Sequence, residues 1–96
     1  MAGSIKSFAD KETEKVYNQL FSKRLPSNIQ RIAFIKLLVI DNAESLNELR
    51  VPPSNYLEQL KGNRAGQYSI RINSQYRICF SVENGGFYDL EITDYH

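Results

Sequence analysis

Residues 67–95 read QYSIRINSQYRICFSVENGGFYDLEITDY, and the alternation within this stretch decides the fold. Tyr68, Ile70 and Ile72 fall on one side of an extended chain, with Ser69, Arg71 and Asn73 on the other. A second run follows in which Tyr76, Ile78, Phe80 and Val82 are the apolar set and Arg77, Cys79 and Ser81 lie opposite. Asn84-Gly85-Gly86 tolerates positive φ and reads as a tight hairpin turn. In the last run Leu90 and Ile92 continue the apolar side, leaving Glu91, Thr93 and Tyr95 on the other. The apolar side must be covered by something. The opposite side collects Arg71, Arg77 and Tyr95 and is expected to stay open to solvent or a ligand.

Moving toward the amino terminus, residues 62–66 read as a loop and residues 56–61 as a weak strand, since Tyr56, Glu58 and Leu60 alternate with Leu57 and Gln59. Pro52-Pro53 stops whatever precedes it, and residues 44–49 add at most a short turn. From Ile29, the residues Ile32, Ala33, Leu37 and Ile40 repeat at helical spacing, and Phe34, Ile35 and Leu38 widen the face. That breadth predicts a helix packed against more than one neighbour. Ser27 with Gln30 has the spacing of a capping box at its start, and Asp41-Asn42 breaks it. An earlier helix is predicted from an Asp10 N-cap to about Phe21, with Val16, Tyr17, Leu20 and Phe21 as its stripe. Ile5 and Phe8 mark a short extended stretch before it. The implied architecture is α+β, one domain spanning residues 1–96, with two main helices packed on one face of a twisted antiparallel sheet.

The composition restricts function without naming it. With 42% hydrophobic and 24% charged residues the chain has the makeup of a soluble globular domain rather than a disordered one. A net charge of +1 requires any nucleic-acid surface to come from local clustering, as Lys61, Arg64, Arg71 and Arg77 allow. A single cysteine, Cys79, excludes an internal disulfide, and one Cys with one His makes a zinc site an unfavourable expectation. The mixed, polar opening has no signal-peptide pattern, and the apolar run 37–40 is too short for a bilayer, so a cytoplasmic protein without membrane contact is expected.

No phosphate-binding glycine loop, metal-ligand cluster or nucleophile elbow is present. What remains is the cationic strand face, the Lys61-Gly62-Asn63-Arg64 loop and the ending Asp94-Tyr95-His96. Cleavage of RNA without a metal needs a base for the 2′-hydroxyl, an acid for the leaving 5′-oxygen, and cations for the phosphorane charge. His96 suits either proton role, and an aromatic such as Tyr95 can stack on an unpaired base. Each residue also has a plainer reading: a frayed terminal histidine, a solvated arginine face, a turn at Lys61-Gly62, rim packing at Tyr95. From residue chemistry alone the chain carries an anion-binding face with one titratable group.

Residues 60–73, LKGNRAGQYSIRIN, with the continuation 75–80, QYRICF, closely resemble the central segment of HigB toxins of the RelE/ParE superfamily. The ending Glu91-Ile92-Thr93-Asp94-Tyr95-His96, the preceding Arg50-Val51-Pro52-Pro53 and the opening Ile5-Lys6-Ser7-Phe8 are similar as well. The resemblance implies a RelE-like fold and a toxin that cuts mRNA in the decoding site of the 70S ribosome, without cofactor or metal. It also implies neutralisation by a HigA-type helix-turn-helix antitoxin, through which the pair reaches operator DNA. By position, His96 would transfer the proton, Asp94 would orient it or a neighbour, Tyr95 would steer the nucleotide, and Lys61 and Arg77 would hold the scissile phosphate. Arg64 and Arg71 would contact RNA or ribosome. Glu58 stands where a well-studied member type has a second histidine, so it is either a general base or structural. Strict alternation puts Asp94 and His96 on the side away from Arg77, so this role requires the chain end to twist. The competing expectation is a ParE-like protein that shares the fold and binds DNA gyrase without cleaving RNA.

Overall fold

Asp10 starts the first helix as its chemistry predicts: its Oδ1 accepts the Thr13 N–H at 2.7 Å, and helix α1 runs Lys11–Tyr17 in a computed structural model that describes residues 3–94. The helix stops four residues short of the expected Phe21. Gln19 adopts φ 61°, its N–H donates to Val16 O at 3.0 Å, and the Leu20 N–H donates to Lys15 O at 2.8 Å. This is a Schellman closure built on glutamine instead of glycine. Leu20 and Phe21 leave the helical register and stand 59% and 64% exposed.

Helix α2 runs Ser27–Asn42, with Pro26 at the cap. The expected capping box does not form. Ser27 is already helical, and Gln30 clamps the preceding loop instead: its Oε1 accepts from Ser22 N at 3.0 Å while its Nε2 donates to Ser22 O and Leu25 O at 2.7 and 2.9 Å. Ile29, Ala33, Leu37 and Ile40 form the buried stripe, whereas Ile32, Ile35 and Leu38 remain partly exposed on the outer side. The wide apolar pattern therefore includes an outward face as well as a core face. Residues 46–50 and 53–55 form two 3-10 turns before the sheet begins.

The sheet is an antiparallel meander of β1 (Glu58–Gln59), β2 (Tyr68–Arg71), β3 (Tyr76–Glu83) and β4 (Gly86–Asp94), in that spatial order. The first strand is only two residues long, and Tyr56, at φ 46°, is left-handed and falls outside it. Asn84 and Gly85, at φ 50° and 78°, make the hairpin turn. The stretch with Ile5 and Phe8 is not a full strand; it closes the free edge of β4 through two parallel bridges, Ile5 to Phe87 and Phe8 to Leu90.

One irregularity sets which side chains enter the core. Cys79 pairs with Glu91 and Ser81 with Tyr88, so β4 spends one more residue than β3 over this interval. The extra residue is accommodated at Asp89, φ 55°. As a result Phe87 and Leu90, three apart in sequence, are both fully buried. Phe87 meets Phe80 edge-on, ring centroids 5.4 Å apart, and these join Ile70, Ile78 and Ile92 against the α1 and α2 stripes.

Asp41 ties the helices to the amino-terminal segment. Its carboxylate accepts the Ile5 N–H at 2.9 Å and the Tyr17 hydroxyl at 2.7 Å, while its carbonyl accepts the Ser4 N–H at 2.8 Å. The hydrogen bond to Asp41, with partial burial and the carboxylate charge adding to it, raises the Tyr17 phenol above its ordinary 10.0. Folding thus binds the phenolic proton more tightly than the unfolded chain does. That stabilisation is complete below pH 10 and is lost as pH rises through the raised value. Tyr17→Phe is expected to cost about 1 kcal/mol at neutral pH and to remove part of the alkaline fall. Urea titrations from about pH 8 to about pH 11 check it; an unchanged alkaline slope would assign the fall to other groups.

Candidate functional site

The side of the sheet away from the helices is not an open plain. Residues 55–64, which include the edge strand β1, reach over it at two points: the Tyr56 carbonyl meets Arg77, and Arg64 crosses to Glu91. Arg77 is only 8% exposed; its Nε donates to Ser69 Oγ at 2.7 Å on the neighbouring strand, and one Nη donates to the Tyr56 carbonyl and to Ser69 O at 3.4 Å. The same guanidinium lies 3.7 Å from Glu58 Oε1. The expectation of an open arginine face is corrected here: alternation identifies the side on which Arg77 lies, but not the segment that covers it. Asn55, fully buried, holds the turn before Tyr56 by donating to Leu49 O and Val51 O at 3.1 and 3.3 Å and accepting from Lys36 Nζ on α2.

The same segment and the sheet enclose a cleft of about 470 Å³ whose lining includes Glu58, Lys61, Arg64, Cys79, Thr93 and Asp94. Strand pairing brings Cys79 and Thr93 into its floor, since Glu58, Ser69, Cys79 and Glu91 are cross-strand neighbours in one row and Arg71, Arg77 and Thr93 in the next. Lys61 is exposed at the rim because Gly62, at φ 65°, turns the chain sharply after it. Arg64 reaches across to Glu91 at 2.9 Å and to Gln67 Oε1 at 3.0 Å, so an anion seeking it competes with a carboxylate. Asp94 pairs with Tyr76, in the parity expected of it, yet lines the cleft from the end of β4, where its Oδ2 accepts from Gln75 Nε2 at 3.0 Å.

Cys79 sits in the floor with its thiol pushed up from 9.0, chiefly by burial, which outweighs the Thr93 hydrogen bond and the nearby Arg64 charge. The raised value keeps the buried thiol protonated at neutral pH. Among the described residues, no three His, Cys, Asp or Glu side chains are placed to hold a metal ion.

The expected residues thus divide. Glu58, Lys61, Arg64 and Asp94 share the cleft. Arg71 and Arg77 line a neighbouring hollow of about 300 Å³ with Tyr56, Leu57 and Glu58, so Glu58 belongs to both walls. Tyr95 and His96 lie outside the described residues, directly after Asp94 in sequence. Ser69, Gln67 and Glu91, which orient the arginines, lie inside the stretches that carry the resemblance but were given no role there; their hydrogen bonds to Arg77 and Arg64 identify them.

Two helices on one face of a four-stranded antiparallel sheet is the fold of the RelE-like toxins. A YoeB–YefM complex from Staphylococcus aureus matches over 96% of this chain and 97% of its own, with a TM-score of 0.51 at 17% identity. A YoeB dimer from the same organism matches over 100% and 99%, with a TM-score of 0.53 at 19% identity. Residues 6–96 match a family described as the RelE-like toxin of type II toxin–antitoxin system HigB, and the chain belongs to that HigB-like toxin family. It is 43% identical to Toxin HigB-1 of Vibrio cholerae over 79 residues, 81% of this chain and 83% of the relative. It is 34% identical to Endoribonuclease HigB of Proteus vulgaris over 93 residues, 96% of this chain and 99% of that one.

Replacing Arg77 by Lys is expected to cost about 1–3 kcal/mol, because one ammonium cannot serve Ser69 and the Tyr56 carbonyl from a single position. Lys61→Ala, at an exposed side chain, is expected to stay within about 0.5 kcal/mol of the parent. Chemical denaturation reads both, and equal stabilities would remove Arg77 as the anchor of the covering segment.

Proposed function

We propose that this protein is the toxin of a type II toxin–antitoxin pair and an endoribonuclease that cuts mRNA in the ribosomal decoding site without a metal ion. A HigA-type helix-turn-helix antitoxin neutralises it, and the pair contacts operator DNA through that antitoxin. The observation that carries this reading is the cleft itself, whose lining brings Lys61 and Arg64 together with Glu58 and Asp94. The Proteus vulgaris relative named as an endoribonuclease supports the activity.

In the proposed reaction the 2′-oxygen attacks phosphorus as its proton leaves, the bond from phosphorus to the 5′-oxygen breaks, and that oxygen takes up a proton. The products are a 2′,3′-cyclic phosphate and a 5′-hydroxyl. His96 transfers a proton, with Asp94 orienting it or its neighbour, and Tyr95 steers the nucleotide. Lys61 stabilises charge on the phosphorane oxygens. Arg77 adds positive charge from beneath and fixes the position of Glu58, the candidate general base; Arg64 and Arg71 contact RNA or the ribosome. Among the described residues, Lys61 and Arg64 are the two cations in the cleft lining, too few to order a flexible strand for in-line attack unaided. The decoding site supplies that order, which makes cleavage ribosome-dependent.

Primer-extension mapping on a defined mRNA, with and without 70S ribosomes, tests the assignment. Cuts are expected only with ribosomes. His96→Gln is expected to lower them at least about a hundredfold, and Lys61→Ala on the order of a hundredfold. Undiminished cutting by His96→Gln would sink its role. Growth arrest in which replication stops before translation, with no cuts, would favour gyrase as the target.

A further inference from the structure

Tyr56 carries an unusual combination of features that the proposed proton and phosphate chemistry does not use. It is a large aromatic in the left-handed region, φ 46° and ψ 54°, a conformation that costs a residue of its type on the order of 1 kcal/mol or more. The surroundings impose it from both sides. Its N–H donates to Pro53 O at 3.0 Å, its carbonyl is held by Arg77, and Asn55 before it is fully buried. The outcome is a residue that stays 58% exposed and lines the hollow of about 300 Å³ that shares Glu58 with the cleft.

A cation is stationed at the same ring. The Arg71 guanidinium carbon lies 5.0 Å from the Tyr56 centroid, and Arg71 Nε is anchored on Asn73 O at 3.1 Å. An exposed tyrosine with a guanidinium over one face of its ring, beside a hollow of about 300 Å³, matches the two halves of a single-stranded nucleotide. The base stacks on the ring and the phosphate meets the cation.

Resting on the endoribonuclease reading, we propose that Tyr56 and Arg71 form a stacking site for an unpaired RNA base of a nucleotide adjoining the one cut in the cleft. Glu58, common to both walls, marks the junction between the two nucleotide positions. Tyr56 is then a positioning residue: it holds the strand and touches no reacting atom. A lone arginine resting on a tyrosine for packing alone would show no preference for a base.

Binding of a short, noncleavable 2′-O-methyl RNA oligonucleotide tests the site independently of cleavage. Tyr56→Ala is expected to weaken binding about tenfold and Tyr56→Phe to preserve it. An abasic oligonucleotide of equal charge is expected to bind the parent protein as weakly as the full one binds Tyr56→Ala. The chain has no tryptophan, so in Tyr56→Trp the new indole is the sole such fluorophore, and stacking is expected to quench it with the full oligonucleotide but not the abasic one. Equal binding by Tyr56→Ala and Tyr56→Phe, or equal quenching by both oligonucleotides, would overturn the site. On ribosomes, Tyr56→Ala is expected to raise KM about tenfold with kcat nearly kept; a loss confined to kcat would overturn the positioning role. If the parent protein cuts no mRNA, the endoribonuclease reading fails while the oligonucleotide arms still decide the stacking site.

Discussion

The buried guanidinium of Arg77 is the constraint on which the polar half of this molecule depends. A charge that is 8% exposed is tolerable only when its donors are satisfied, and it finds acceptors on β2 and on the covering segment at once. In doing so it converts a flat strand face into a cleft on one side and a hollow on the other. The short β1, the left-handed Tyr56 and the placement of Glu58 all follow from the chain having to return to this one group. A lysine in its place would keep the charge and lose the fork.

The two sides of the sheet are organised by different physics. Toward the helices, stability comes from burial of Ile29, Leu37, Ile40, Ile78, Phe80 and Phe87, each at most 1% exposed. Toward the cleft there is little apolar area to bury, and position is held by directional contacts: Arg77 with Ser69, Arg64 with Glu91, Asn55 with two carbonyls. Such a division lets the cleft change its charges without disturbing the core. The outer side of α2 carries Ile32, Ile35 and Leu38, partly exposed.

Much of the fold was legible because period and turn chemistry are local. The alternation over residues 68–72 and 76–82, the Asn-Gly-Gly turn, the Asp10 cap and the 29-33-37-40 stripe each correspond to an observed element. What escaped depended on partners remote in sequence or on residues adopting atypical roles. Gln19 closes a helix where glycine is usual, Gln30 serves a loop eight residues back, and Tyr56 is bent by an arginine that follows it by 21 positions. At the site, spacing and resemblance singled out Glu58, Lys61, Arg64 and Asp94, which the cleft unites. The cover over Arg77 and the juxtaposition of Tyr56 with Arg71 were not readable, since a strand pattern records the side of a residue and says nothing of what crosses above it.

The extra residue at Asp89 has a consequence beyond local geometry. It resets the phase of β4, so the strand carries two out-of-step inside–outside codes: one counted from the hairpin, serving Phe87, and one counted toward the carboxyl end, serving Leu90 and Ile92. With a continuous phase, Phe87 in the core would force Leu90 and Ile92 outward and turn Glu91 and Thr93 away from the cleft. A single left-handed residue therefore acts as an insulator between the packing end of the hairpin and its chemical end. Each can drift in sequence without rewriting the other's orientation.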